Sequence, residues 1–394
     1  LNWATSKEVE QADFEAFHVE HCQRYNLRLP MGSLQAQLVE ADILEDRGGR
    51  VRFKYPYHYY YFLARSISQR SWGELEPRVD LLVRSIHTER SANVLLFLAH
   101  LKRDPRVAEK IIDSATQMFR DLPEADLFEV SPVLDKFKPM EIRQILVEGA
   151  REFQLEQRAL DEKDHEAASQ EIEKVAEARL RSRIDDAVLM NAAFKTLQVL
   201  GQVLRNHAGE IERDDKHAMA DTCVGLGLRV LSFLYRMVGS HGEEMLKFRG
   251  LQIKAERGSM NDSELAEELE SYLPSMMSSL TVGTLIKIAN AIGSEELSPT
   301  LDDVLRGVNT RKLLRLIAHL EHFSDFPKKE LLDFEEDALQ RGPVLPNSVL
   351  RRFLIRRFYL FPVREELKRA VLDRFKIKAL PFQFLEQKRL PKPG

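Results

Sequence analysis

Apolar residues recur at three- and four-residue steps along most of this chain, a rhythm that one face of an α-helix imposes. "VDLLVRSI" from Val79, "LRVLSFLYRMV" from Leu228 and "RKLLRLIAHLEHF" from Arg311 all show it. Helix starts carry the expected punctuation. Asp104 precedes Pro105, Ser298 precedes Pro299, and Asn261-Asp262-Ser263 leads into "ELAEELESYL". Breaks are expected near Gly239, Gly258, Gly293 and Phe326-Pro327. The fold class that follows is mainly α.

Strand-like alternation is confined to "ILEDRGGRVRFKY", two short runs around Gly48-Gly49 that read as a hairpin. Before it, "EQADFEAFHVEHCQRY" and "MGSLQAQLVEAD" are helical patterns separated by "NLRLP". Helix, turn, helix, two-stranded wing and a following helix is the order of a winged helix, placed at residues 1–70. A long helical, solenoid-like region is expected after it. Residues 71–139 read as short helices. Residues 140–212 read as long charged helices or a helical hairpin, with a flexible charged linker as the alternative. Residues 213–394 read as a C-terminal helical domain with a basic end. No fixed repeat period emerges.

Residues 350–394 hold thirteen Lys or Arg against four Asp or Glu, about +9, so with a net charge of −4 the remainder carries about −13. Such a balance gives no global pull toward nucleic acid or anionic lipid. Two cysteines, Cys22 and Cys223, cannot build a disulfide framework, which reads as a reducing, cytoplasmic setting. No uninterrupted apolar run reaches the roughly 18 residues of a membrane helix, so no membrane partner is expected. The chain opens at Leu1 within an amphipathic pattern, which reads as a piece of a longer protein.

Catalytic signatures are missing. There is no G-x-x-x-x-G-K-[ST], G-x-S-x-G or H-E-x-x-H run. "GLGLRV" at Gly225 lacks a third glycine and a preceding strand, and reads as a helix interior with small residues. In "HVEHC", His18 and Cys22 share a helix face, but no second Cys/His pair follows to complete a zinc shell. Paired carboxylates such as Glu243-Glu244 and Asp302-Asp303 read as solvated faces. No catalytic residue, metal site or cofactor is therefore assigned to the chain.

Two basic stretches remain. Arg47, Arg50, Arg52 and Lys54 lie on the wing, where cations can hold phosphates. The preceding helix offers only Gln35 and Gln37 as reading groups, with Glu40 and Asp42 repelling phosphate. In "RRFLIRRFYLF", Arg351, Arg352, Arg356 and Arg357 flank apolar residues, and Arg364, Lys368 and Arg369 follow. These seven are the candidate polyanion- or partner-binding residues. Ordinary packing with surface arginines is the plainer reading.

"RVRFKYPYHYYYFLARSI", residues 50–67, carries five tyrosines and two phenylalanines. Base stacking, a cofactor pocket and a buried strand-to-helix junction all fit that composition. The third is favoured. Phe53 and Tyr55 alternate on one strand face and Pro56 suits a helix start. Tyr57, Tyr60, Tyr61 and Ala64 then share a side, with Phe62 beside them. Phe53, Tyr55, Pro56, Tyr57, Tyr60, Tyr61 and Phe62 are the residues of this joint.

The same stretch resembles the end of the winged helix in NACHT-type members of the STAND signalling ATPases, which carry F-x-H-x-x-x-Q-E-Y-F-A-A. Here Phe53 stands first, Tyr55 replaces the His, Tyr59-Tyr60 replace Gln-Glu, and Tyr61-Phe62-Leu63-Ala64 close the pattern. It is similar to a bacterial form, FxYPYxYYYFxA, and "LVEADILEDRGGRVRF" is similar to the wing of that family. The resemblance covers about 40 residues. It implies the regulatory and sensor part of a conformational switch, with a protein partner or trigger on the helical region, self-association and a role in defence against phage. ATP or ADP with Mg would be bound by a domain upstream of Leu1. With Tyr55 in place of His, no nucleotide-contacting role passes to that position. A winged-helix nucleic-acid binder is the alternative.

Overall fold

The computed structural model describes residues 8–129, 186–257, 262–339 and 344–377. The charged stretch 140–185 and the Pro-rich end 378–394 lie outside the described residues. The protein is mainly helical with one small sheet, and it divides into two compact units, 1–114 and 115–394. The expected break at residue 70 falls inside the first unit.

That unit opens with β1 (Glu8–Glu10), α1 (Gln11–Arg24) and α2 (Met31–Glu40), followed by β2 (Leu44–Arg47) and β3 (Arg50–Phe53). The sheet is antiparallel in the order β1-β3-β2, with Val9 opposite Val51 and Asp46 opposite Val51 on the other side. The hairpin was legible in the sequence. Gly48 and Gly49 both take positive φ, 63° and 83°, the geometry of the tight two-residue turn that matches strand twist. β1 was not legible, because three residues are too few to show alternation. Val9, Phe14, Leu44 and Val51 form a small core, with Met31, Leu38, Ile43 and Phe53 packed on it.

α3 (Pro56–Ser68) leaves the sheet directly and packs on α5 (Glu89–Lys102), while α4 (Trp72–Arg84) lies between them in sequence and also packs on α5. Thr88 caps α5, its Oγ1 accepting from Ser91 N at 3.2 Å. Lys102 Nζ donates to Arg70 O at 2.9 Å and so ties the end of α5 to the α3–α4 turn. Arg103 takes a left-handed φ of 50° before α6 (Pro105–Gln117).

The second unit is built on α7 (Asp186–Asn206), α8 (Arg213–Arg257) and α9 (Asp262–Ile292), which pack on one another. A break near Gly239 was expected, yet α8 runs through it. A single glycine costs a helix only about 1 kcal/mol, and the α9 partner offsets that. Gly225 and Gly227 are helix interior as read. At Gly227 a Cβ would lie 2.3 Å from Ile288 Cγ1, and at Gly201 one would lie 2.5 Å from Ala291 Cα, so these glycines set how closely α8 and α7 approach α9. Two helical stretches, Asp186–Asn206 and Arg213–Ser240, are long and apolar enough on average to cross a membrane. Reading for uninterrupted runs missed them, because polar residues such as Lys195 and Arg229 divide each. More than half of each apolar window is buried in the bundle, which accounts for its composition.

α10 (Ser298–Val304), α11 (Asn309–His322), α12 (Lys328–Phe334), a π-helical turn (Glu335–Leu339), α13 (Val344–Leu360) and α14 (Glu365–Arg374) complete the unit. The stretch 124–128 is stapled to α11. Leu127 N donates to Thr310 Oγ1 at 2.9 Å, and that hydroxyl donates to Asp126 Oδ1 at 2.6 Å. Arg311 bridges Glu124 and Asp221. Burial alone would lower its pKa, but hydrogen bonds to the two carboxylates outweigh that and raise it.

Candidate functional site

The ring-rich junction is assembled from three elements of the first unit. Phe53, at the end of β3, stacks on Phe62 with centroids 5.6 Å apart and stands 6.2 Å from Tyr59. Tyr61 meets Phe97 of α5 edge-on at 5.7 Å, and the Arg90 guanidinium sits 5.6 Å over Tyr59. The buried face of α3 is Tyr59, Tyr60, Ala64 and Ile67. Helical spacing from Tyr60 to Ala64 to Ile67 was legible. Tyr59 was not legible as a core ring, because Phe53 of β3 and Arg90 of α5 meet it and nothing in the local pattern shows where α5 lies.

Burial stops short of the whole set. Tyr55 is not a strand residue but the N-cap of α3, and it is 39% exposed. Tyr57 in the first turn is 53% exposed and stacks on Tyr55 at 5.5 Å with planes 10° apart. Phe62 is 40% exposed. The junction therefore has a buried half, facing the sheet and α5, and an exposed aromatic half.

The cations of the β2–β3 hairpin are each paired with a carboxylate. Arg50 Nη1 and Nε donate to Glu8 and Glu10, both at 2.8 Å. Arg52 and Arg47 pair with Glu45, and Lys54 with Asp42. Exposed pairs of this kind stabilise little, but they cancel the local field. Four cations face Glu8, Glu10, Asp42, Glu45 and Asp46, one acid more. The α2 amides are committed as well. Gln35 and Gln11 exchange hydrogen bonds at 2.9 and 3.0 Å, and Gln37 reaches Ser33.

Most of the seven basic candidates are drawn into the fold. Arg357, a surface guanidinium by its sequence pattern, is 1% exposed. Its Nη1 donates to Leu320 O and Phe323 O, and its Nη2 to Ser324 O and Asp325 O, at 2.6–3.2 Å. The guanidinium also lies 3.9 Å over the Phe361 ring. It thus satisfies one carbonyl of the last turn of α11, that of Leu320, and three of the segment just after the helix, at the negative end of its dipole. Burial pulls its pKa down, against the pull of Asp325 and Glu321.

Arg356 Nε donates to both oxygens of Glu321, at 2.9 and 2.8 Å, and Glu321 is itself buried. Lys368 is buried and pairs with Glu365 at 3.6 Å. Arg351 and Arg352 are half-buried, and burial lowers the Arg352 pKa. Arg364 and Arg369 alone of the seven remain exposed. Glu321, the partner that fixes Arg356, carried no signal in the sequence.

His18 Nε2 and Cys22 Sγ lie 3.5 Å apart and line an open groove of about 560 Å³ with Val19, Leu27, Leu29 and Pro30. Among the described residues no group of three or more His, Cys, Asp or Glu could hold a metal ion. Cys223 is fully buried, and burial pushes its thiol up to about 12.

Comparison with known proteins places a likeness on one segment. No curated protein and no solved structure matches the chain. Residues 7–63 match the family model described as novel STAND NTPase 4. That segment spans the sheet, α1, α2 and the start of α3, and includes every ring from Phe53 to Phe62. The part of the chain that builds the junction is therefore similar to a STAND NTPase family.

Proposed function

We propose that the chain is the regulatory and sensor portion of a STAND-type signalling switch, acting in bacterial defence against phage through a protein partner or trigger and through self-association. The observation that carries this reading is the match over residues 7–63, the segment whose rings join the sheet to α5. The element order β1-α1-α2-β2-β3-α3, with both outer strands on β3, supports reading that segment as a winged helix. Nucleotide and Mg belong, in this reading, to the NTPase domain of the switch. The lack of a P-loop run in the sequence, and the pairing of each hairpin cation with a carboxylate, support placing the nucleotide there.

Partner contact falls to the first unit. Ten of the eleven strongly exposed large apolar side chains among the described residues lie there, including Phe17, Tyr25, Tyr55 and Tyr57. Phe17 and Tyr25 flank His21 on α1, and Tyr55 stacks on Tyr57, and it is clustered exposed apolar area of this kind that marks protein contact. In a host carrying the intact gene, Tyr55→Ser with Tyr57→Ser is expected to reduce protection against a phage panel at least about tenfold, equivalent to about 1.4 kcal/mol of partner affinity. The thermal midpoint should barely move. Equal plating of every phage with and without the intact gene would overturn the defence reading.

Nucleic-acid binding finds no support in the charge arrangement of the described residues. Anisotropy of a labelled duplex should give a dissociation constant weaker than about 10⁻⁴ M at physiological salt. Tighter binding that falls steeply with salt, and is lost on reversing Arg364 and Arg369, would restore that alternative.

A further inference from the structure

His322 is the last residue of α11, and its ring lies hard against Gly293, the residue after α9. A Cβ on Gly293 would come within 2.1 Å of His322 Cδ2. His322 Nε2 is shielded from water and has no hydrogen-bond partner among the described residues. Among the described residues, the charged groups on the elements that meet at this corner are cations or carboxylates already in use. From α7 comes Arg205, whose Nε reaches Gly201 O at 3.4 Å. From α13 come Arg356, which holds Glu321, and Arg357, which holds four carbonyls. Beyond the end of α11, Glu295 accepts from Ser324 N at 2.6 Å and Asp325 pairs with His319 at 2.8 Å. Cys223 of α8, beside Arg205, is a neutral thiol.

We propose that His322 is an acid-sensitive latch at the corner of α9 and α11. Neutral, the ring fills the space that Gly293 leaves. Protonated, it places a third positive charge beside Arg205 and Arg356 with no unpaired carboxylate among the described residues there to receive it, and the corner loosens. Burial first, then Arg205 and Arg356, hold the imidazole down to about 4 from the usual 6.5. The folded state therefore binds fewer protons than the unfolded chain between these values. The stability the neutral ring contributes is complete above pH 6.5 and is lost as pH falls toward 4. Glu321 works in the other direction, because burial raises its carboxyl pKa against the pull of Arg356. A comparison of variants at each pH separates the two.

The intact chain and His322→Gln are compared by thermal unfolding at pH 7 and pH 5. The wild type is expected to lose about 5 °C more than the variant over that interval. Hydrogen exchange, corrected for intrinsic rates, should quicken at 293–297 and 319–326 in the wild type alone. Equal acid losses in both proteins would overturn the latch. Should the variant fail to fold, the ring carbon shifts of His322 in the wild type decide the matter. A neutral ring at pH 5.5 supports the latch, and a titration centred near 6.5 overturns it.

Discussion

Arg357→Met is expected to destabilise the second unit by about 4 kcal/mol, the largest loss of any single change among the basic residues. Four carbonyls depend on that guanidinium, from Leu320 and from Phe323 to Asp325. Methionine fills much of the volume but donates nothing, so these acceptors would be left without their partner, those of Leu320 and Phe323 at buried residues and those of Ser324 and Asp325 at exposed ones. Arg357→Lys keeps the charge but lacks the fork that reaches four oxygens, and should recover less than half of the loss. Arg364→Met and Arg369→Met, at exposed positions, should stay within about 0.5 kcal/mol of wild type. Urea unfolding of the four proteins orders them. A mild effect at Arg357 would mean that water satisfies the end of α11, and that the guanidinium is the surface group the sequence pattern suggests.

Tyr60→Ala should cost about 3–4 kcal/mol in the first unit, the usual range for emptying a buried aromatic site. Tyr60 is 5% exposed and meets Tyr59 edge-on at 5.7 Å, so its removal also frees the ring beneath Arg90. Tyr57→Ala, at the exposed end of the same helix, should cost under about 1 kcal/mol. The contrast matters because both residues share one side of a helical wheel. Periodicity placed them together, and only the position of α5 separates them.

What the sequence could reveal follows from where each signal comes from. Local signals held: the Gly48-Gly49 turn, the Pro105 and Asp262 helix starts, and the α9 end before Gly293 all stand where backbone preference put them. Signals that depend on another part of the chain did not. Arg356 and Arg357 look alike in the sequence, but one meets Glu321 and the other the end of α11, both more than thirty residues away. Gly239 reads as a break locally and is helix because α9 pairs with α8. The cations of the β2–β3 hairpin look free to hold phosphates in the sequence, and only β1 shows Glu8 and Glu10 beside Arg50. The family resemblance rested on the ring-rich junction, which lies within the matched residues 7–63.

The account stands on the junction at Pro56 fastening the small sheet to the helices that follow it. Native-state hydrogen exchange tests this directly, read at Arg50–Phe53 in β3 and Glu89–Lys102 in α5, in wild type and Tyr60→Ala. Both segments should open with the same free energy, and both should lose protection together in the variant. If β3 loses its protection while α5 keeps its own, the sheet and the helices are separate bodies and the fastening does not exist.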